Sequence, residues 1–260
     1  MKDCREEWFD AERKVSVTIV DVTSAAQALV RGHLSGPTSA HYLAKALAAA
    51  ALLGAETSEP DETVIVQMKC DGPLGGFNVE CTAAGTLRGY TERKTLEDFD
   101  GLGPPDDRRV LGARQVQVTR SVPGRILSQG ISSSLDGYLA GSLQRRACLR
   151  VEAAVSDESE VSEARGIMVE DMPDAAPPLV CCRVTELKSL SVAPRGILRQ
   201  LGLERAELRR TTPLSFACRC SPERAAAMVA ALPENEREEM PPSVDVTCHM
   251  CGRTFSVRTK

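Results

Sequence analysis

The last 43 residues of this 260-residue chain contain Cys218-Arg219-Cys220 and, after 27 intervening residues, Cys248-His249-Met250-Cys251-Gly252. Two close-set cysteine pairs constrain the fold more than any other feature. Four soft sulfur ligands suit tetrahedral zinc, which requires two separated stretches of chain to meet at one point. Four thiolates fill that coordination sphere and leave no position for a substrate. The expectation is therefore one structural Zn2+ per chain, held by Cys218, Cys220, Cys248 and Cys251. His249 lies inside the second pair, where an exposed side chain is expected rather than a ligand.

The flanking residues support this reading. Ser221-Pro222-Glu223 follows the first pair and reads as an N-cap, a first helical residue and a first-turn acid, opening a helix to about Leu232 before Pro233. Cys218 and Cys220 then sit at the positive end of that helix, where thiolates are favoured. The second pair falls between two strand-like runs, Val244 to Thr247 and Thr254 to Val257, so Cys248–Cys251 forms the turn of a hairpin. Residues 213–260 hold only 11 large apolar side chains (Leu, Val, Met, Phe), a core near the size at which metal must supply the fold. Structural zinc contributes about 10–16 kcal/mol to such modules. Oxidation of the thiolates would remove that contribution, so the site is a candidate switch from oxidant exposure to local unfolding.

Ten cysteines in all, at 4, 70, 81, 148, 181, 182, 218, 220, 248 and 251, lean toward metal or redox chemistry in a reducing compartment. The first residues, Met1 to Glu7, mix charges with no apolar run behind them. The longest apolar stretch, Leu43 to Leu53, is interrupted by Lys45 and is too short for a membrane span. A soluble, cytosolic protein with neither leader nor membrane partner is expected. A net charge of -4 and only 3% aromatic residues make a poor nucleic-acid surface.

Along the chain, alternation predicts strands over Lys14–Val20, Thr63–Cys70, Phe77–Thr82, Thr86–Thr91, Gln115–Thr119, Cys148–Val155 and Gly166–Val169. An Ala-rich helix capped by Thr38 or Ser39 should run to Leu53, and an amphipathic one should cover Ser134 to Leu143. Asp71 to Gly76 has a mild phosphate-loop look but lacks the Lys-Ser/Thr ending and reads as a turn. Asp157 to Glu160 reads as a solvated hairpin tip, and Asp98 to Arg109 as a loop. After Ala175-Ala176-Pro177-Pro178 the apolar period becomes helical, with Pro194 placed to open a helix and two short helices expected over residues 179–212. The fold class is α+β: a mixed α/β N-terminal core domain (1–176), a helical linker (177–212) and a small C-terminal zinc-binding domain (213–260).

In its C-x-C and C-x-x-C tail, the Ser221-Pro222-Glu223-Arg224-Ala225 continuation, and Val30-Arg31-Gly32, Asp71-Gly72-Pro73-Leu74-Gly75, Leu87-Arg88-Gly89-Tyr90 and Met168 to Pro173 in order, the chain resembles the heat shock protein 33 family of redox-regulated holdase chaperones. The resemblance covers nearly the whole chain. It implies a cytosolic, ATP-independent chaperone, not an enzyme, that is inactive when reduced and zinc-bound. It further implies two disulfides on oxidation, Cys218–Cys220 and Cys248–Cys251, with zinc released, the linker loosened and unfolding client proteins bound, commonly by a homodimer. The linker is shorter than that family's usual one, and six further cysteines, including the vicinal pair Cys181-Cys182, have no role in the pattern. Two other readings stand beside it. One is a structural zinc ribbon mediating protein or RNA contacts without redox control. The other is a thiol oxidoreductase using Cys248 and Cys251, although that chemistry places its pair at a helix start rather than between strands.

Overall fold

The computed structural model describes residues 3–259. Strand β1 (Cys4–Asp10) forms a hairpin with β2 (Val15–Asp21), followed by helices α1 (Thr23–His33) and α2 (Pro37–Leu53). Then come β3 (Thr63–Cys70), β4 (Gly76–Thr82), β5 (Thr86–Thr91), a short helix α3 (Asp107–Leu111), β6 (Arg114–Val122) and β7 (Arg125–Ser132). One helical turn, α4 (Leu135–Gly137), runs into a π-helical turn at Tyr138–Ser142. The long hairpin β8 (Arg146–Val155) and β9 (Val161–Asp171) follows. Beyond it lie a 3-10 turn (Cys181–Glu186), α5 (Pro194–Gln200), β10 (Glu207–Pro213) and the two-residue β11 (Ser215–Phe216). Helices α6 (Pro222–Ala230) and α7 (Glu234–Glu239) and the hairpin β12 (Ser243–Thr247) and β13 (Thr254–Arg258) complete the chain.

The strands make a five-stranded sheet, β10-β1-β2-β9-β8, and a six-stranded sheet, β11-β5-β4-β3-β6-β7, besides the terminal hairpin. Helix α2 packs against strands of both sheets and is apolar nearly all round, as a helix buried between two layers must be. Its cap differs from the expectation. Gly36 caps it and Pro37 occupies the first turn, where a missing N–H is harmless. Thr38 and Ser39 are buried inside the helix. The Thr38 N–H is taken by Asp100 Oδ1 at 3.0 Å, and Ser39 Oγ donates to the Arg93 carbonyl at 2.6 Å. The Asp71–Gly76 stretch is the turn between β3 and β4, with a strand rather than a helix after it.

The five-stranded sheet is apolar on both faces. Val20 and Met168 belong to the core around α2, while Val15, Val17, Ile19, Ile167 and Val169 face the other way. On that second face lies the segment between β9 and β10, through Val180, Val184, Leu187, Leu190, Ile197, Leu198, Leu201 and Leu203. This covering segment is the helical-period stretch of the sequence. Pro194 opens α5 as expected, and the second helix is the 3-10 turn. Polar clasps fix it: Arg165 Nη1 donates to the Leu190 carbonyl at 2.9 Å, Leu190 N–H to Glu152 at 2.9 Å, and the Arg195 guanidinium lies 4.5 Å from the Trp8 ring centre. Residues 207–213 depart from the helical expectation, because they pair antiparallel with β1 along an otherwise open sheet edge.

Candidate metal centre

Cysteines 218 and 220 are placed by β5. Ser215 and Phe216 pair in parallel with Thr86 and Leu87, and the Ala217 N–H donates to the Leu87 carbonyl at 3.2 Å, so the chain enters Cys218-Arg219-Cys220 along that strand. Ser221 then caps α6, its Oγ accepting the Arg224 N–H at 3.3 Å, as the sequence predicts. The second pair is the turn between β12 and β13. Cys248 N–H donates to the Arg253 carbonyl at 2.8 Å, and the Gly252 N–H returns to the Cys248 carbonyl at 2.8 Å with Gly252 at φ +74°.

The two turns bring all four sulfurs together. Cys218 Sγ lies 3.7 Å from Cys248 Sγ and Cys220 Sγ 3.5 Å from Cys251 Sγ, with all four ligand atoms within 4.8 Å of one another. Zinc–sulfur bonds of ~2.3 Å in tetrahedral geometry require sulfurs ~3.8 Å apart, so the donor set and its spacing fit a zinc ion. His249 lies outside this set; its ring is exposed and stacks on Tyr90 with centroids 4.7 Å apart.

The thiols differ in acidity for local reasons. Burial works against ionising Cys218. The Cys220 backbone N–H, the neighbouring thiols and the Arg88 guanidinium outweigh it and bring Cys218 down to about 7. Burial, together with protons shared with neighbouring sulfurs, pushes Cys220 and Cys251 up. One thiolate in the quartet thus forms readily while others resist a second negative charge, and a divalent cation resolves that conflict by holding all four as thiolates. Arg88 Nη1 stands 4.0 Å from Cys218 Sγ, and both Arg88 and Arg219 pair with Glu80, at 2.7 and 3.5 Å, which leaves net positive charge beside the sulfurs.

The centre is also the clasp between the C-terminal hairpin and the rest of the molecule. The Gly89 N–H on β5 donates to the Met250 carbonyl at 3.1 Å, and buried His33 at the end of α1 is 2.8 Å through Nε2 from the Gly89 carbonyl. Gly32 and Gly252 meet face to face. A Cβ on Gly32 would lie 2.6 Å from the Cys251 carbonyl oxygen, and one on Gly252 would lie 2.0 Å from the Gly32 carbonyl oxygen. The segments Val30-Arg31-Gly32 and Leu87-Arg88-Gly89-Tyr90 are therefore the seat of the second cysteine turn. The sequence presented them only as pieces of a resemblance, and the usable signal was a glycine inside the strand-like run Thr86–Thr91. The other six cysteines stand apart from this centre, and none of the ten is joined in a disulfide.

Comparison with known proteins agrees with this architecture. The sequence profile described as Hsp33 protein matches residues 7–258. A "33 kDa chaperonin" of Thermus thermophilus is 30% identical over 274 residues, spanning 94% of this chain and 80% of that protein. The protein of the same name from Lacticaseibacillus paracasei is 28% identical, covering 90% of this chain and 88% of its own length. The crystal structure of the Thermotoga maritima 33 kDa chaperonin superposes with a TM-score of 0.87 over 100% of this chain and 96% of that one at 19% identity, a likeness of fold. With a family profile matched almost from end to end and four cysteines gathered where a metal fits, this chain belongs to the Hsp33 family.

Proposed function

We propose that this protein is a redox-regulated, ATP-independent holdase of the cytosol, quiet while Cys218, Cys220, Cys248 and Cys251 hold zinc and active once those sulfurs are oxidised. Residues 1–176 serve as the folded core, with β10 (Glu207–Pro213) added along its sheet edge, the stretch before β10 as the covering linker and the chain after it as the redox switch, so the expected boundary at 212 moves with the pairing of β10 to β1. The reading is carried by one observation: the sulfur quartet sits between the C-terminal hairpin and the β5–α1 seat, so chemistry at the sulfurs acts on the clasp itself.

In the reduced state Cys218, Cys220, Cys248 and Cys251 would hold the ion as thiolates, and this cross-link would stabilise the small apolar cluster built on Ala225, Val229 and Val257. With hydrogen peroxide as oxidant, two neighbouring thiols lose two electrons and two protons, one S–S bond forms, and peroxide becomes two waters. The pairs are Cys218–Cys220 and Cys248–Cys251. This pairing is the one the family resemblance implies, each pair being joined by one or two residues. A disulfide sulfur carries no charge with which to hold the ion. The tail then leaves its seat on β5 and α1, the linker loosens, and apolar faces become available to unfolding proteins, gripped by a homodimer.

Reduced protein is expected to carry one zinc per chain, and peroxide with mild heat to release it while conferring suppression of aggregation on a thermally unfolding test protein. Zinc binding and oxidant response that survived Cys248→Ser and Cys251→Ser together would rule the reading out.

A further inference from the structure

A second group of sulfurs lies where the covering segment begins. β8 carries half-buried Cys148, and the 3-10 turn carries buried Cys181 and exposed Cys182. Cys148 stands opposite Val169 in the β8–β9 ladder and packs against the apolar cluster that contains Cys181, where the 3-10 turn lies against β8. Cys181 Sγ is 3.9 Å from Cys182 Sγ. Asp171, the last residue of β9, pins the turn. Its buried carboxylate accepts the Val180 N–H at 2.9 Å and the Cys181 N–H at 2.7 Å. Two backbone hydrogen bonds to a carboxylate thus hold Cys181 in register against the sheet.

We propose that Cys148 and Cys181 form a second redox site, a disulfide latch that fastens the start of the covering segment to β8 under strong oxidation. Peroxide meets Cys148, the more accessible of the two. The Cys148 thiolate attacks one oxygen, the O–O bond breaks, the departing hydroxide takes up the thiol's proton as water, and a sulfenic acid remains. Cys181 passes its proton to Asp171 and attacks the Cys148 sulfur. The S–O bond breaks, and the leaving hydroxide takes that proton and departs as a second water. Two thiols have lost two electrons, and one peroxide has gained them. Burial, and for Cys181 the neighbouring Asp171 carboxylate, raise both thiols above their ordinary range, so this pair reacts more slowly than the metal-centre sulfurs. A bond between Cys181 and Cys182 is the competing product. It is strained between adjacent residues and ties the turn to nothing. The latch would let the tail respond to oxidant while the first turn of the covering segment stays on the sheet, limiting how far that segment opens.

The test uses the full chain, oxidised with peroxide, alkylated and mapped by mass spectrometry without reduction. A linked peptide pair joining Cys148 to Cys181 should accumulate after the tail disulfides. Cys148→Ser and, as a second route, Cys181→Ser should abolish it, while Cys182→Ser keeps it. In the oxidised state, trypsin should cut at Arg183 and Arg195 several-fold faster in Cys148→Ser than in the unaltered chain, and equal melting of the two reduced proteins certifies the fold. Cys148 and Cys181 both remaining alkylatable after the tail cysteines are fully oxidised would overturn the latch. A Cys181–Cys182 product alone, or unchanged tryptic cutting, would do the same. None of these readouts depends on client binding, so the latch and the holdase reading stand or fall separately.

Discussion

Gly32 and Gly252 bring two backbones closer than any side chain allows, at the one place where the cysteine turn rests on α1. Gly32→Ala should therefore push the turn off its seat without touching a ligand, seen as several-fold faster zinc loss to a chelator from the reduced protein. Gly196→Ala, whose Cβ would find ordinary contact at 3.5 Å, should leave that rate unchanged. Another residue sets a pH limit. Burial, reinforced by Lys45 and opposed by Asp107, lowers His41 to about 4 from 6.5. Between those values the unfolded chain binds the extra proton, so stability tied to neutral His41 is whole above pH 6.5 and is lost as pH falls toward 4. The loss should be roughly 1–3 kcal/mol, and urea midpoints across this range should flatten in His41→Gln. The cysteine quartet was legible because residue type and spacing carry the chemistry. The glycine contact was not, because nothing near Gly32 in sequence announces a partner at Cys251.

Strands with one buried face and helix α2, apolar on every side, are where periodicity and structure agree. Strands β1, β7 and β10 went unread for a common reason: each owes its place to backbone pairing rather than to apolar alternation. Glu207 to Pro213 is exposed almost throughout, and β1 buries Arg5 against α2 on one face and Trp8 under the covering segment on the other. The Ser134–Leu143 stripe did find a core for Leu139, but through a π-helical turn rather than a regular helix. The covering segment gives the sharpest test of packing. Leu198 on α5 is wholly buried against the sheet, so Leu198→Ala should cost about 2–5 kcal/mol. In the reduced protein it should also speed tryptic cutting at Arg183 and Arg195, reproducing in part what the proposed switch predicts for oxidant.

Taken whole, the molecule has one large core around α2, a second between the five-stranded sheet and its cover, and a third, far smaller, in the tail. The last is built on three buried residues, Ala225, Val229 and Val257, and is the one for which the proposed metal would matter most. Chelation of the reduced protein should split calorimetric melting into an early, small tail transition and a later main one, and a single cooperative transition in both states would contradict this. The covering segment itself is bounded by β9, ending at Asp171, and β10, starting at Glu207, both strands of the same sheet. Once lifted, it is a bridge still standing on both abutments, and loop-closure entropy changes by only about 0.6 kcal/mol for each doubling of such a span. On the proposed mechanism, recovery would be the zippering of a tethered strip back into place, with no need to refold from the start.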